Sequence, residues 1–146
     1  MPILHVPARL EQLASVNIFL TEHTPQLFRA VLPNIELVAE ELLVNVFSYA
    51  YPDGTEGKAE LRLREVYFDG TPLLCFSVTD WGAPFNPFAD APNPDLTLDT
   101  ESRPIGGLGI FLIRSVTAHQ SYARENGANI IDVYFSAREQ DPCPDV

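Results

Sequence analysis

Glu41 and Asn45 stand four residues apart in the run Glu41-Leu42-Leu43-Val44-Asn45. On a helix, that spacing sets a carboxylate and a carboxamide one turn apart on the same face. A carboxamide oxygen is a hard, neutral ligand for Mg²⁺, which takes a few protein oxygens and completes its shell with water and phosphate. A carboxylate beside it can orient or deprotonate an attacking hydroxyl. Taken alone, the pair favours a solvated glutamate and an asparagine bonded to a neighbour. A second group is Asp80-Trp81-Gly82-Ala83-Pro84-Phe85-Asn86-Pro87. Asp80 ends an apolar stretch, and a buried carboxylate needs donors. The exocyclic amine of adenine is one such donor, and Gly82 lets the backbone pass close to a base. A strand-ending aspartate before a turn is the plain alternative. A third group, Arg103-Pro104-Ile105-Gly106-Gly107-Leu108-Gly109-Ile110, puts glycines at a loop-to-helix junction. Backbone N–H groups and the helix dipole there favour phosphate. The spacing is neither the dinucleotide fingerprint nor a P-loop, because no Gly-Lys-Ser/Thr follows. A flexible hinge before a helix would look similar.

The elements that must position these residues follow from periodicity. Residues 3–6 suit a short strand. Leu10, Leu13, Ile18 and Leu20 mark a helical face over residues 8–22. Pro25 opens a second short helix that Pro33 interrupts. The clearest helix starts from Asn34 as N-cap, with Glu36 in its first turn, and runs to about Ala50 before Pro52-Asp53-Gly54. Ile35, Val38, Leu42 and Val46 form its apolar stripe, and Glu41, Asn45 and Tyr49 lie on an adjacent one. Alternation over residues 58–68, the turn signal Asp69-Gly70 and the apolar residues 73–79 predict a hairpin. Residues 81–105 hold Pro84, Pro87, Pro92, Pro94 and Pro104 and no periodicity, which suggests a functional loop acting as a lid. A helix over 110–116 follows, then two strands joined at Asn126-Gly127. The expected fold is an α/β two-layer sandwich with helices on one face of a mixed, mainly antiparallel sheet. One domain spans residues 1–138, and 139–146 form a flexible tail.

Composition narrows the partners. The formal charge of −11 repels nucleic acid and anionic lipid. It also means that bound polyphosphate requires a metal ion and backbone donors for its local positive field. No apolar run is long enough for a membrane span, and the N-terminus lacks the pattern of a signal peptide, so a cytoplasmic location is expected. Cys75 lies in an apolar run as a buried thiol, and Cys143 lies in the Pro-rich tail, so neither a disulfide framework nor a zinc site is implied. His5, His23 and His119 show no metal-ligand spacing. Trp81 is expected to pack.

The ordered combination resembles the GHKL ATPase superfamily with its Bergerat ATP-binding fold, and within it the bacterial anti-sigma-factor serine-protein kinases. The resemblance rests on Glu41 to Asn45 with Tyr49-Ala50-Tyr51-Pro52-Asp53-Gly54, on Asp80-Trp81-Gly82 with Pro84-Phe85-Asn86-Pro87, and on Arg103 through Ile113. It covers most of residues 8–137. It implies that ATP and Mg²⁺ are bound, with Asn45 on the metal, Glu41 as general base and Asp80 on the adenine amine. Gly82 would line the base pocket, Gly107, Leu108 and Gly109 would cradle phosphates, and Arg103 would reach them, while Ser48 either touches the nucleotide from the Glu41 helix or packs. Tyr49 replaces a frequent histidine of the family, and Thr117-Ala118 stand where an acid is common. With no phospho-acceptor histidine helix evident ahead of the domain, a complete sensor histidine kinase is not expected. The implied activity is phosphorylation of a STAS-type anti-sigma-factor antagonist together with sequestration of a sigma factor, and a homodimer is compatible. A nucleotide-dependent binding switch without kinase activity is the alternative.

Overall fold

The computed structural model describes residues 1–51, 57–90 and 107–138, with the backbone alone at residues 90, 107 and 108. Five strands form one sheet: β1 (Ile3–Pro7), β2 (Lys58–Phe68), β3 (Thr71–Asp80), β4 (His119–Glu125) and β5 (Ala128–Ser136). Their spatial order is β1-β2-β3-β5-β4, and every pairing is antiparallel. The two-layer α/β architecture is as expected, while the sheet holds no parallel pair among the described residues. Both hairpins turn through positive φ: 50° and 80° at Asp69-Gly70, 50° and 78° at Asn126-Gly127. Two consecutive left-handed residues match the right-handed twist of the flanking strands, and Asn, Asp and Gly tolerate them best.

Register assigns the faces. Ala59, Leu61 and Leu63 lie opposite Asp80, Val78 and Phe76, which in turn lie opposite Asn129, Ile131 and Val133. Directly opposed residues share a face, so over these residues the face is apolar except at its Asp80–Asn129 end. Helices α1 (Leu13–His23) and α2 (Leu32–Tyr49) cover it and share one core with it, as does α4 (Gly107–Val116). The four-residue helix α3 (Pro87–Asp90) lies in the Pro-rich stretch read as irregular. Cys75 is buried as expected, and its neighbours in register are Arg64 and Tyr134 on the other face. No helix among the described residues is long and apolar enough to cross a membrane.

α2 departs from the expected start. A 3₁₀ helix (Gln26–Val31) runs straight into it, so α2 begins at Leu32 and Asn34 is not its cap. Pro33 does not break the chain here. In a first turn its missing N–H costs nothing, because that donor would have no intrahelical partner. Glu36 therefore lies beyond the first turn, where it accepts a hydrogen bond from the Thr21 hydroxyl at 3.3 Å. The helix ends as expected, with the Ala50 N–H donating to Val46 O at 2.9 Å.

The α2 stripe is what holds the site-bearing helix on the sheet. Leu42, wholly inaccessible to solvent, lies between Glu41 and Asn45 in sequence and carries no polar role. Leu42→Ala is expected to lower unfolding free energy by about 3 kcal/mol, read by urea denaturation.

Candidate functional site

Asn45 sits on α2 with its side chain buried. Its Nδ2 donates to Glu41 O one turn back at 2.7 Å. That bond fixes the amide and leaves Oδ1 buried without any partner. Glu41 is partly exposed, and its carboxylate lies against the first turn of α4. A Cβ placed on Gly109 would come within 2.2 Å of Glu41 Oε2. Absence of a side chain at Gly109 is therefore what lets α4 close on this carboxylate. Burial first, and the neighbouring Glu40 second, hold the Glu41 carboxyl above its ordinary range. A carboxylate raised in this way is the stronger base.

Asp80 ends β3 and is buried to within 1%. Its Oδ1 accepts from Asn129 Nδ2 at 2.9 Å and from the Gly82 N–H at 3.0 Å. Its Oδ2 is buried without a donor. Burial pushes the carboxyl up, against the lowering effect of those two hydrogen bonds and of Arg124. The chain after Asp80 is clamped to the end of α2: the Ala83 N–H donates to Ala50 O at 2.8 Å. A Cβ on Gly82 would meet Ala50 O at 2.2 Å, so this approach requires glycine. Arg124 Nη1 donates to Gly82 O at 2.8 Å from the far side.

The structure thus brings Glu41 against Gly109 and brings the Asp80–Gly82 segment against the end of the helix that carries Asn45. Ser48 is exposed on α2. α4 starts at Gly107, three residues before the expected helix over 110–116, so Gly107 and Leu108 give N–H groups at a helix N-terminus. Arg103, most of the expected lid and the tail lie outside the described residues. Trp81 does not pack into the core: it is 43% exposed, with Lys58 Nζ 5.2 Å from its ring centroid and its backbone N–H donating to Tyr51 OH at 2.9 Å. Strand parity turns it away from the core face that Asp80 shares.

Sequence reasoning passed over Asn129, which partners Asp80, and Tyr51, whose hydroxyl also donates to Lys58 O at 2.6 Å. Asn129 carried a readable signal. It heads an alternating series with Ile131, Val133 and Phe135, all core-facing, and a polar residue at a buried position must be bonded.

The donor set suits ATP and Mg²⁺. Among the described residues, the buried side-chain oxygens without a partner are those of Thr24, Asn45 and Asp80. Two of the three therefore fall on residues assigned to a ligand beforehand. No described group of three or more His, Cys, Asp or Glu could hold a metal by itself. A single amide oxygen would then act together with phosphate oxygens and water, the mode Mg²⁺ favours.

The raised Asp80 carboxyl fixes a pH dependence. In the unfolded chain it ionises near its ordinary value of 3.8, before the folded one does. Its contribution to stability therefore falls as pH rises from that value through the folded pKa, and the penalty stays above it. Asp80→Asn keeps an acceptor for Asn129 and Gly82 and removes the buried charge. The variant is expected to flatten this part of the pH–stability curve between pH 4 and 7 and to be at least as stable as wild type at pH 7. Urea denaturation of both proteins across that range checks it.

The histidine kinase-like ATPase domain model matches residues 6–135. Among solved structures, the chain is similar to the blue-light activated histidine kinase of Erythrobacter litoralis EL346, at 20% identity over 74% of this chain and 31% of that one, with a TM-score of 0.48. It is similar to the histidine kinase domain from that protein at 16% identity, over 90% of this chain and 62% of that one, TM-score 0.49. It is similar to the Acinetobacter baumannii histidine kinase AdeS at 11% identity, over 95% of this chain and 70% of that one, TM-score 0.48. The chain spans about a third of the length of the first of these and less than two thirds of the second. No curated protein matches it. The matched residues run from β1 to β5 and include every candidate site residue, and the chain belongs to the histidine kinase-like ATPase domain family.

Proposed function

We propose that the protein binds ATP with Mg²⁺ and transfers the γ-phosphoryl group to a serine or threonine of a STAS-type anti-sigma-factor antagonist, with sequestration of a sigma factor as its competing activity. The observation that carries the nucleotide part is the pair of buried, unpartnered acceptor oxygens, Asn45 Oδ1 and Asp80 Oδ2. Burying an acceptor without a donor costs on the order of 1–3 kcal/mol, a cost that a ligand offsets.

Each residue then has a task. Asp80 Oδ2 accepts from the adenine amine, with Gly82 beneath the base. Asn45 Oδ1 is the protein's oxygen for Mg²⁺, and the metal supplies charge neutralisation on the phosphate oxygens. Backbone N–H groups of Gly107, Leu108 and Gly109 hold phosphate at the α4 N-terminus, with Ser48 and Arg103 as further nucleotide contacts. In the transfer, the acceptor hydroxyl oxygen bonds to the γ-phosphorus. The bond from that phosphorus to the bridging oxygen of ADP breaks, and the hydroxyl proton passes to the Glu41 carboxylate. The kinase part is supported by the partial burial of Glu41 and its raised pKa, and the partners by the motif resemblance.

Incubation with labelled ATP and an antagonist protein encoded beside this one tests the reading, and label on an antagonist serine or threonine is the expected result. Normal nucleotide binding without transfer would overturn the kinase activity in favour of a nucleotide-dependent binding switch. Glu41→Gln is expected to bind ATP as wild type does and to slow transfer about 100-fold or more. Asn45→Ala is expected to weaken Mg²⁺-dependent ATP affinity roughly tenfold, measured by calorimetry with and without the metal. Unchanged affinity would remove its ligand role.

A further inference from the structure

Asn129 has no accessible surface, and its amide makes every hydrogen bond the group can make. Nδ2 donates to Asp80 Oδ1 at 2.9 Å and to Ala83 O at 2.8 Å. Oδ1 accepts from the Phe85 N–H at 3.2 Å and from Tyr122 OH at 2.6 Å. The orientation of the amide is forced. Turned over, it would set its oxygen against the Ala83 carbonyl and the Asp80 carboxylate, and its NH₂ against the Phe85 N–H. Only one arrangement pairs donors with acceptors on all four sides.

The consequence falls on Asp80. With Asn129 Nδ2 and the Gly82 N–H both on Oδ1, that oxygen is engaged, and Oδ2 is left as the unpartnered acceptor. The same amide holds Ala83 and Phe85, the segment that follows Gly82. Phe85 in turn stacks on Tyr49 of α2, with centroids 5.1 Å apart. One side chain on β5 therefore ties together the end of β3, the segment after it and, through Tyr122, β4.

We propose that Asn129 is a positioning residue that sets base specificity: by occupying Asp80 Oδ1 it commits Oδ2 to a donor on the ligand, and so selects a purine carrying an exocyclic amine at the adenine position. This rests on the nucleotide reading above. Asn129 touches the carboxylate and acts through it.

The test compares two triphosphates that differ only in that amine, ATP and purine riboside triphosphate, by titration calorimetry on the full chain. Wild type is expected to favour ATP about tenfold or more, the worth of a hydrogen bond to a charged acceptor. Asn129→Ala removes the donor to Asp80 Oδ1, so that the carboxylate is no longer held in one orientation. In this variant the ratio is expected to fall towards one. Asn129→Leu, which lacks any donor, is expected to do the same if it folds. Tyr122→Phe removes one anchor of the amide and leaves its bond to Asp80, and is expected to keep the ratio. A merely structural Asn129 would weaken both ligands in parallel and leave the ratio of Asn129→Ala intact, which overturns the proposal. Wild type that binds neither triphosphate overturns the nucleotide reading, and this inference with it. Wild type that discriminates beside variants that lose both ligands equally overturns the inference alone.

Discussion

The contact between the chain after β3 and the C-terminal end of α2 is the constraint on which the rest of the site depends. The Ala83 N–H reaches Ala50 O only because Gly82 presents no side chain to the same carbonyl. A strand end and a helix end are thereby held at one place. Asp80 belongs to the sheet and Asn45 to the helix layer, and this contact joins the end of one to the end of the other. A second close approach, Gly109 over Glu41, brings α4 to the same helix. Two glycines far apart in sequence therefore do related work: Gly82 leaves out the atoms that would meet the α2 backbone, and Gly109 those that would meet the Glu41 carboxylate.

The polar atoms held there are poorly satisfied as they stand. Asn45 Oδ1 and Asp80 Oδ2 are buried without donors, and the Asp80 carboxyl is also raised by its burial. A sequence chosen for stability alone would place apolar groups at such positions, since unpaired buried acceptors are costly. Natural sites retain groups of this kind where binding needs them, at some expense of stability. The apolar stripe of α2 and the sheet face beneath it provide the burial that makes such positions tolerable.

Much of this was legible in the residues. The hairpins were readable at Asp69-Gly70 and Asn126-Gly127, because few residue pairs accept two positive φ values in succession. The α2 stripe was readable because burial of one face imposes a period, and the four-residue spacing put Glu41 and Asn45 on one side. The start of α2 was misread because Pro33 looks like a break, although in a first turn it removes a donor the helix has no use for. The absence of parallel pairing among the described residues could not be read, because β1 pairs with a strand more than fifty residues further along and strand direction between distant segments leaves no local mark. Asn129 was overlooked because glycine and acid motifs draw attention to loops, whereas its evidence lay in the parity of a strand. Trp81 is expected to pack, and strand parity decides otherwise.

Trp81 has a practical consequence. It is the protein's single tryptophan, it follows Asp80 directly, and it is 43% exposed beneath an ammonium group. All indole emission from the chain therefore originates one residue from the buried carboxylate. Its backbone N–H is bonded to Tyr51 and the next carbonyl to Arg124, so the ring sits on a restrained piece of backbone while its face meets water. The molecule thus carries an intrinsic optical probe at the end of β3, with no second indole elsewhere in the chain and no label to attach.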